Sequence, residues 1–180
     1  MSIRYHRYAV VILAGAVGAV SFIAQSGVRP AAAQASTVVM TCTEEGKVLW
    51  PAPGIGKEPA VVKWTEDLKY SDCKDPDGKA VNPHPVSSKA SGTEKVSCNG
   101  DATDDHGTGT MKWSDGTTSE FKTGETSETV TDGNDSGEFP ISITSGTYAG
   151  HSAKDVGTTT ETGSCPGEKA ATATGTLTIY

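Results

Sequence analysis

The clearest candidate for chemistry in this sequence is a calcium-binding turn. The segment 132–137 (DGNDSG) alternates oxygen-bearing side chains ahead of a glycine, as does the first half of an EF-hand loop. A complete loop has a bidentate glutamate six residues past that glycine, where this chain has Ile143. The same residue types are common in hairpin turns. The pattern therefore favours a turn, and Asp132, Asn134 and Ser136 are candidate ligands for a calcium ion.

Hydrolytic chemistry has weaker support in the sequence. A Ser-His-Asp triad needs a nucleophile on a sharp turn, a base and an orienting acid, and the chain has no G-x-S-x-G elbow. His84 lies between two prolines, His106 follows two aspartates, and His151 is at the end of a predicted strand. These positions are typical of surface histidines. We therefore predict no catalytic residue, no enzymatic activity and no cofactor.

A predicted export signal precedes the segments that would position these residues. Two arginines precede an apolar run over residues 9–23, which is shorter than the roughly 20 residues that cross a bilayer. Small residues follow it and end in an Ala-x-Ala cleavage site at 33–35. We predict a cleaved signal peptide over 1–35 and a single secreted domain over 36–180, either released or associated with the cell wall.

Cleavage would remove three arginines and no acidic residue, so the formal charge would change from −7 to −10. A strongly acidic surface repels phosphate backbones and anionic lipid headgroups. No arginine would remain for bidentate capture of phosphate. We therefore predict no nucleic-acid partner and no membrane association after cleavage. We expect a monomer whose partner is an extracellular ligand or a cell-wall component.

Four cysteines follow the predicted cleavage site, and an even number in an oxidising compartment indicates two disulfides. Neighbouring cysteines are at least 25 residues apart in the sequence, whereas zinc sites use closely spaced pairs. Three pairings are possible. We favour Cys42–Cys98 and Cys73–Cys165, with Cys42 and Cys98 on strands and the other two cysteines in turn-rich loops.

The predicted domain shows no helical periodicity, and its pattern indicates β-structure throughout. Short segments rich in valine, threonine, isoleucine and aromatic residues indicate strands. They cover residues 37–43, 47–50, 60–70, 94–98, 109–114, 117–123, 127–131, 138–143, 147–151 and 171–180. Asp115-Gly116 predicts a tight hairpin, and residues 74–93 predict a long exposed loop. We expect Trp64 and Trp113 in the core and Trp50 partly exposed.

A resemblance adds to this interpretation. In the segment 107–119 (GTGTMKWSDGTTS), a glycine pair is followed by Trp-x-x-Gly-x-x-Ser, and Thr-Ser-Gly-x-x-x-Gly follows at 144–150. Together with Cys165 and the threonine-rich end, this resembles small actinobacterial secreted proteins of unknown role. The resemblance implies an all-β fold, an immunoglobulin-like antiparallel β-sandwich of about 8–10 short strands with two disulfides. It implies no reaction.

The function expected on these grounds is that of a secreted, non-enzymatic binding module that acts through loops or a sheet face. One alternative is a carrier of a small ligand, which needs an internal cleft. Another is a protease inhibitor, whose reactive loop would lie at 73–78 beside a disulfide. A hydrolase has the least support.

Overall fold

The computed structural model describes residues 37–180, which contain strands and turns but no helix. The strands are β1 (Met40–Leu49), β2 (Ala60–Lys74), β3 (Pro85–Val96), β4 (Asn99–Trp113), β5 (Thr118–Thr123), β6 (Ser127–Thr131), β7 (Asn134–Gly146), β8 (Ser152–Glu161) and β9 (Ala170–Ile179). The predicted signal peptide lies outside the described residues. Within residues 37–180 there is no helix long and apolar enough to cross a membrane.

The strands form one antiparallel sheet that closes on itself. Strands adjacent in sequence are neighbours around the circumference, β3 pairs with β4, and β9 returns to pair with β1 along its whole length. Every barrel position therefore has a partner on both sides, and the sheet has no open edge. The prediction of an immunoglobulin-like β-sandwich is wrong. The fold is an eight-strand antiparallel β-barrel with two disulfides.

β5 and β6 together occupy one position in the barrel. β5 pairs with the second half of β4 and β6 with its first four residues, while both also pair with β7. Residues 124–126 separate them. Gly124 donates its N–H to the carbonyl of Pro140 at 2.8 Å, so Pro140 lies opposite the break. Because proline has no N–H, it cannot complete the ladder there. Nine strands thus make eight barrel positions.

Several observed strands are longer than the predicted ones. β1 joins two predicted strands, β3 begins at Pro85 inside the predicted loop, and residues 147–151 form a turn that precedes β8. Residues 44–46 of β1 and all of β8 were not predicted as strand, because inward positions there hold residues such as Glu44 and Gly157, which interrupt the apolar alternation. The hairpin at Asp115-Gly116 is confirmed, and Gly116 has a φ of 84°.

The two predicted disulfides are present, but the pairing that we favoured is wrong. Cys42 pairs with Cys73, and Cys98 pairs with Cys165. Cys42 and Cys73 lie on the adjacent strands β1 and β2, whose register brings their Cα atoms to 4.1 Å. Cys73 was expected in a loop, whereas β2 continues to Lys74. Two disulfides indicate an oxidising compartment.

One end of the barrel interior, called here the apolar end, is filled by hydrophobic side chains. Its members are at most 2% exposed: Met40, Met111, Trp113, Ile143, Leu177 and Ile179. Trp113 donates its indole N–H to Ser119 Oγ at 2.8 Å, and the Tyr148 ring packs on it with centroids 4.9 Å apart. Leu177 is the register partner of Cys42, so the first disulfide lies beside this end.

The opposite end is covered by the β1–β2 loop, residues 50–59. Ile55, which is buried, exchanges backbone hydrogen bonds with the β8–β9 loop, donating to Glu168 at 2.9 Å and accepting from Gly167 at 2.7 Å. The β8–β9 loop is in turn fastened to the turn between β3 and β4 by the Cys98–Cys165 bond. Both ends of the barrel are therefore closed, each beside a disulfide.

Candidate functional site

Between its two ends the barrel encloses a cavity of about 70 Å³. Part of the wall is apolar and includes Trp64, Phe121 and Phe139. The rest of the wall is dominated by seven carboxyl groups, called here the carboxyl cluster: Glu44, Glu66, Glu94, Asp105, Glu128, Asp135 and Asp155. Carboxyl groups are rarely buried unless they are paired, because water solvates them strongly. The cluster is therefore the candidate functional site.

Strand alternation places these carboxyl groups inside. Successive side chains of a strand point to opposite faces, so Glu44 of β1 faces the interior and the neighbouring Glu45 faces solvent. In β2, Glu66 occupies the inward position between Trp64 and Leu68. The cluster takes one residue from each of seven strands, namely β1, β2, β3, β4, β6, β7 and β8.

No basic side chain balances the cluster. Within residues 37–180, neither a lysine nor a histidine lines the cavity. The ion pairs of the described residues are exposed, as in the contact of Lys89 Nζ with Asp67 Oδ1 at 2.5 Å. In the same part of the chain, no three acidic, histidine or cysteine side chains are placed to hold one metal ion. A buried carboxyl group without a cation avoids the cost of its charge by keeping a proton.

Glu44 and Asp155 form the first of two carboxyl pairs in the cavity. Their side chains are 3% and 8% exposed. Burial, followed by the hydrogen bond and the charge of Asp155, raises the pKa of Glu44 far above its usual value, and burial also raises the pKa of Asp155. No donor elsewhere in the described residues reaches Glu44 Oε2 or Asp155 Oδ1. The pair can therefore share one proton, or accept donors from a bound molecule.

Two glycines make room for this pair. Gly175 is the register partner of both Glu44 and Gly157. A Cβ atom on Gly175 would lie 2.5 Å from Glu44 Oε1, and one on Gly157 would lie 3.4 Å from Asp155 Oδ1. A larger residue at position 175 would displace the Glu44 carboxyl group. The glycines of β8 and β9 thus belong to the architecture of the site.

Glu128 and Asp135 form the second pair. Burial, followed by the charge of Asp135, raises the pKa of Glu128 strongly, and burial raises the pKa of Asp135. Asp135 Oδ1 accepts the N–H of Thr159 at 3.2 Å. No donor in the described part of the chain reaches Glu128 Oε2. This pair is therefore better satisfied by the protein than the Glu44–Asp155 pair.

Two further carboxyl groups are held by indole N–H groups. Trp50 Nε1 donates to Glu94 Oε1 at 2.6 Å, and Trp64 Nε1 donates to Asp105 Oδ1 at 2.8 Å. Burial raises the pKa of Glu94 to about 7 and that of Asp105 to about 6, while the indole hydrogen bonds oppose the shift. Asp105 is therefore ionised at neutral pH, and the interior keeps negative charge.

All three tryptophans are buried, so the prediction is confirmed for Trp64 and Trp113 and wrong for Trp50. Trp50 directly follows β1, and its side chain continues the inward face of that strand to reach Glu94. The glycines opposite Trp64 have a steric role, because a Cβ on Gly107 would lie 2.5 Å from the indole ring.

The remaining member of the cluster is Glu66. Burial, followed by the charges of Asp155 and Asp105, raises the pKa of Glu66 to about 8. Nearby, the hydroxyl groups of Tyr70 and Ser88 hydrogen-bond to each other at 2.8 Å. Several acids of this chain are thus both internal and protonated near neutral pH. The formal charge of the sequence therefore overstates the negative charge at the protein surface.

A third carboxyl pair, Glu161 and Glu168, lies outside the cavity at the loop-covered end. Burial, followed by the charge of Glu161, raises the pKa of Glu168 to about 8. Gly133, in the turn between β6 and β7 with a φ of 81°, faces both carboxyl groups, and a Cβ there would collide with them.

The calcium candidates are not part of the cavity. Asp132 lies in the β6–β7 turn with a φ of 50°, while Asn134 and Ser136 are exposed on β7. Asn134 Oδ1 accepts the backbone N–H of Glu161 at 2.9 Å. It is Asp135, between these residues, that faces the interior. Calcium binding at Asp132, Asn134 and Ser136 stays a prediction.

The histidines are also distant from the cluster. His84 Nδ1 hydrogen-bonds with the carbonyl of Val81 at 2.8 Å, and His151 Nδ1 with that of Tyr180 at 2.5 Å. His106 is exposed on β4. Among the described residues, no histidine ring hydrogen-bonds to the side chain of a serine or of an acidic residue. The absence of enzymatic activity stays a prediction.

The loop considered for protease inhibition follows β2 directly. Asp75 Oδ1 accepts the backbone N–H groups of Asp77 and Lys79 at 3.0 and 2.8 Å, and Gly78 completes the turn with a φ of 81°. These bonds are internal to an exposed turn. Protease inhibition stays a prediction.

Sequence reasoning missed the carboxyl cluster, although a signal for it is present. In the segment 64–70 (WTEDLKY), the alternate residues Trp64, Glu66, Leu68 and Tyr70 are those that point inward. An acid at an inward position of an otherwise apolar alternation is a usable signal. The strand over residues 60–70 was predicted, but the sequence does not show that such inward acids from seven strands converge on one cavity.

Comparisons with protein-family models, with curated proteins and with solved structures find no match to this chain. The resemblance to small actinobacterial secreted proteins therefore stays a prediction.

Proposed function

We propose that this chain is an exported, non-enzymatic binding protein whose small ligand occupies the interior of the barrel. The proposal adopts the carrier alternative in place of binding through loops or a sheet face. An eight-strand barrel is just wide enough to be filled by side chains or to hold one small ligand. The disulfides and the closed fold suit a protein that works in an oxidising compartment.

The observation that carries the proposal is the carboxyl cluster around a cavity. A barrel selected for stability alone fills its interior with apolar side chains, as the apolar end does. Polar groups that break this rule without a structural partner are concentrated at functional sites. A cavity with aromatic walls and a few convergent polar groups has the composition of a ligand site.

The cavity limits the size of the ligand. Its volume of about 70 Å³ is less than half that of the roughly 150 Å³ cavity known to hold benzene. The ligand is therefore a compound of about four non-hydrogen atoms, or the small end of a longer one. Because both ends of the barrel are covered, entry requires an opening, and the loop over residues 50–59 is the part held chiefly by backbone hydrogen bonds.

A cavity-filling variant tests the proposal. Ala173→Leu places a larger side chain in the cavity wall, whereas Thr176→Leu changes an exposed position of the same strand. The probes are propylammonium chloride, 1-propanol and sodium acetate, followed by amide chemical shifts in NMR titrations. We expect at least one probe to shift cavity amides of the wild type and of Thr176→Leu, and none to shift those of Ala173→Leu. If Ala173→Leu does not fold, Ile141→Phe fills the cavity from β7.

The proposal fails if no probe binds the wild type at cavity amides, or if the filled variants bind as well as the wild type does.

A further inference from the structure

The Glu44–Asp155 pair has two oxygens that the protein leaves without a donor. Glu44 Oε2 and Asp155 Oδ1 are inaccessible to solvent, and apart from the proton that the pair can share, no N–H or O–H group of the described residues reaches either of them. Both residues are more than nine-tenths buried and line the cavity. A buried acceptor without a donor destabilises the fold, and more so when it is charged. A donor that enters the cavity and hydrogen-bonds to the pair therefore lowers the free energy of the protein.

The titratable groups around this pair are all acids, and none of them carries a positive charge. Asp155 approaches Glu44 from β8, and Glu66 and Tyr70 approach it from β2. The neighbour on β9 is Gly175, which contributes no side chain. No lysine or histidine of the described residues lines the cavity. A molecule that satisfies the pair should therefore be a cation with hydrogen-bond donors.

The number of free acceptors favours an ammonium group over a metal ion. Calcium takes six to eight oxygen ligands, and magnesium takes six with strict geometry. The pair offers two free oxygens, and Asp135 of the second pair is already engaged by Thr159. An alkylammonium group carries three N–H donors, and its carbon chain suits the apolar part of the wall at Trp64 and Phe121.

We propose that the ligand is a small primary ammonium compound whose charged head is bound by Glu44 and Asp155. The inference rests on the proposed function and adds the chemical class of the ligand. The cation takes the place of the shared proton, which is released to solvent when the cation binds. Ammonium and proton therefore compete for the same two oxygens, and affinity rises with pH until the pair has lost its proton.

The test uses the disulfide-bonded protein and propylammonium chloride, with sodium chloride to match ionic strength. We expect saturable shifts of amides around Gly157 and Gly175, which adjoin the pair. Four non-hydrogen atoms limit the dissociation constant to values weaker than roughly 40 µM. Affinity at about pH 5 should be at least about tenfold lower than at about pH 8, because the pair retains its proton.

Glu44→Gln and Glu45→Gln are matched variants, because the two residues are adjacent and only Glu44 faces the cavity. Loss of one charge-assisted hydrogen bond in a buried site should weaken propylammonium binding at least about tenfold in Glu44→Gln. Glu45→Gln should bind as the wild type does. If Glu44→Gln is unfolded, Asp155→Asn removes the other member of the pair.

The competing outcomes separate this inference from the proposed function. If 1-propanol or acetate binds at cavity amides and propylammonium does not, the barrel still binds a ligand but the ammonium inference is wrong. If calcium chloride produces the saturable shifts instead, the inference is also wrong. It is wrong again if Glu44→Gln binds propylammonium as tightly as Glu45→Gln does. If no probe enters the cavity, both proposals fail.

Discussion

The apolar end and the carboxyl cluster lie in the same barrel and share the strands β1, β4 and β7, yet their side chains differ completely. On β1, Met40 belongs to the apolar end, and Glu44, two inward positions later, belongs to the cluster. At the apolar end every large side chain packs against others. In the cluster, carboxyl groups face one another without a cation. The difference separates an apolar end that stabilises the barrel from a middle whose carboxyl groups do not.

The energetics of the two regions have opposite signs. Burial of a leucine, isoleucine or methionine side chain stabilises a fold by about 1.5–3 kcal/mol. Burial of a carboxyl group stabilises nothing by itself, and it destabilises the fold at any pH at which the unfolded chain would ionise. The apolar end should therefore carry stability that is independent of pH, and the cluster should make stability depend on pH.

The largest effect is expected from a truncation at the apolar end. Leu177 is fully buried, so Leu177→Ala should lower the free energy of unfolding by about 2–5 kcal/mol through lost transfer energy and a residual cavity. Urea unfolding at about pH 5 and about pH 8 measures this loss, which should be the same at both. Thr176→Ala, at the exposed neighbouring position, is the control and should change stability by less than about 0.5 kcal/mol. A small loss in Leu177→Ala would show that the apolar end is not the main source of stability.

Removal of the second disulfide should have a somewhat smaller effect, concentrated at the opposite end. Replacing Cys98 and Cys165 by alanine should cost roughly 2–4 kcal/mol through added freedom of the unfolded chain. Amide hydrogen exchange should accelerate in the loop over residues 50–59, which is bonded to the loop that Cys165 holds. Amide hydrogen exchange at the apolar end should accelerate only as far as the lower global stability requires. Equal acceleration everywhere would mean that the two ends open as one unit.

The smallest effect concerns one carboxyl group of the cluster. Below about pH 4.5 both the folded and the unfolded chain keep the proton of Glu128, and above it only the folded chain does, since burial raises the folded-state pKa. Stability should therefore fall as pH rises from about 4.5 to about 8. Glu128→Gln removes this proton requirement and should raise stability by on the order of 1 kcal/mol at about pH 8, with little change at about pH 4.

Glu120→Gln is the matched control for that measurement, because Glu120 is exposed on β5. The free energy of unfolding of Glu120→Gln should equal that of the wild type at both pH values. A wild-type protein that becomes more stable between about pH 4.5 and about pH 8 would contradict the assignment of protonated carboxyl groups to the interior.

Prediction from sequence succeeded where the determinants are local. The hairpin at Asp115-Gly116 follows from a local pair of turn residues, of which Gly116 adopts the positive φ. The strand over residues 127–131 and the final strand were predicted within one residue of their observed bounds. The pairing of the cysteines failed because it depends on which strands are neighbours. Cys42 and Cys73 are joined because β1 and β2 pair in one register, which composition does not reveal.

The sequence by itself determined that this protein is all-β, that its cysteines form two disulfides and that its turns lie at glycine- and aspartate-rich segments. The strands and turns arise from the alternation of side chains along a strand and from the backbone preferences of single residues, and the disulfides follow from an even number of cysteines. Only the tertiary structure decided between a sandwich and a barrel, and only closure brought seven carboxyl groups from seven strands to one cavity. The physical reason is that pairing between distant strands sets both outcomes, and no short stretch of chain contains that information.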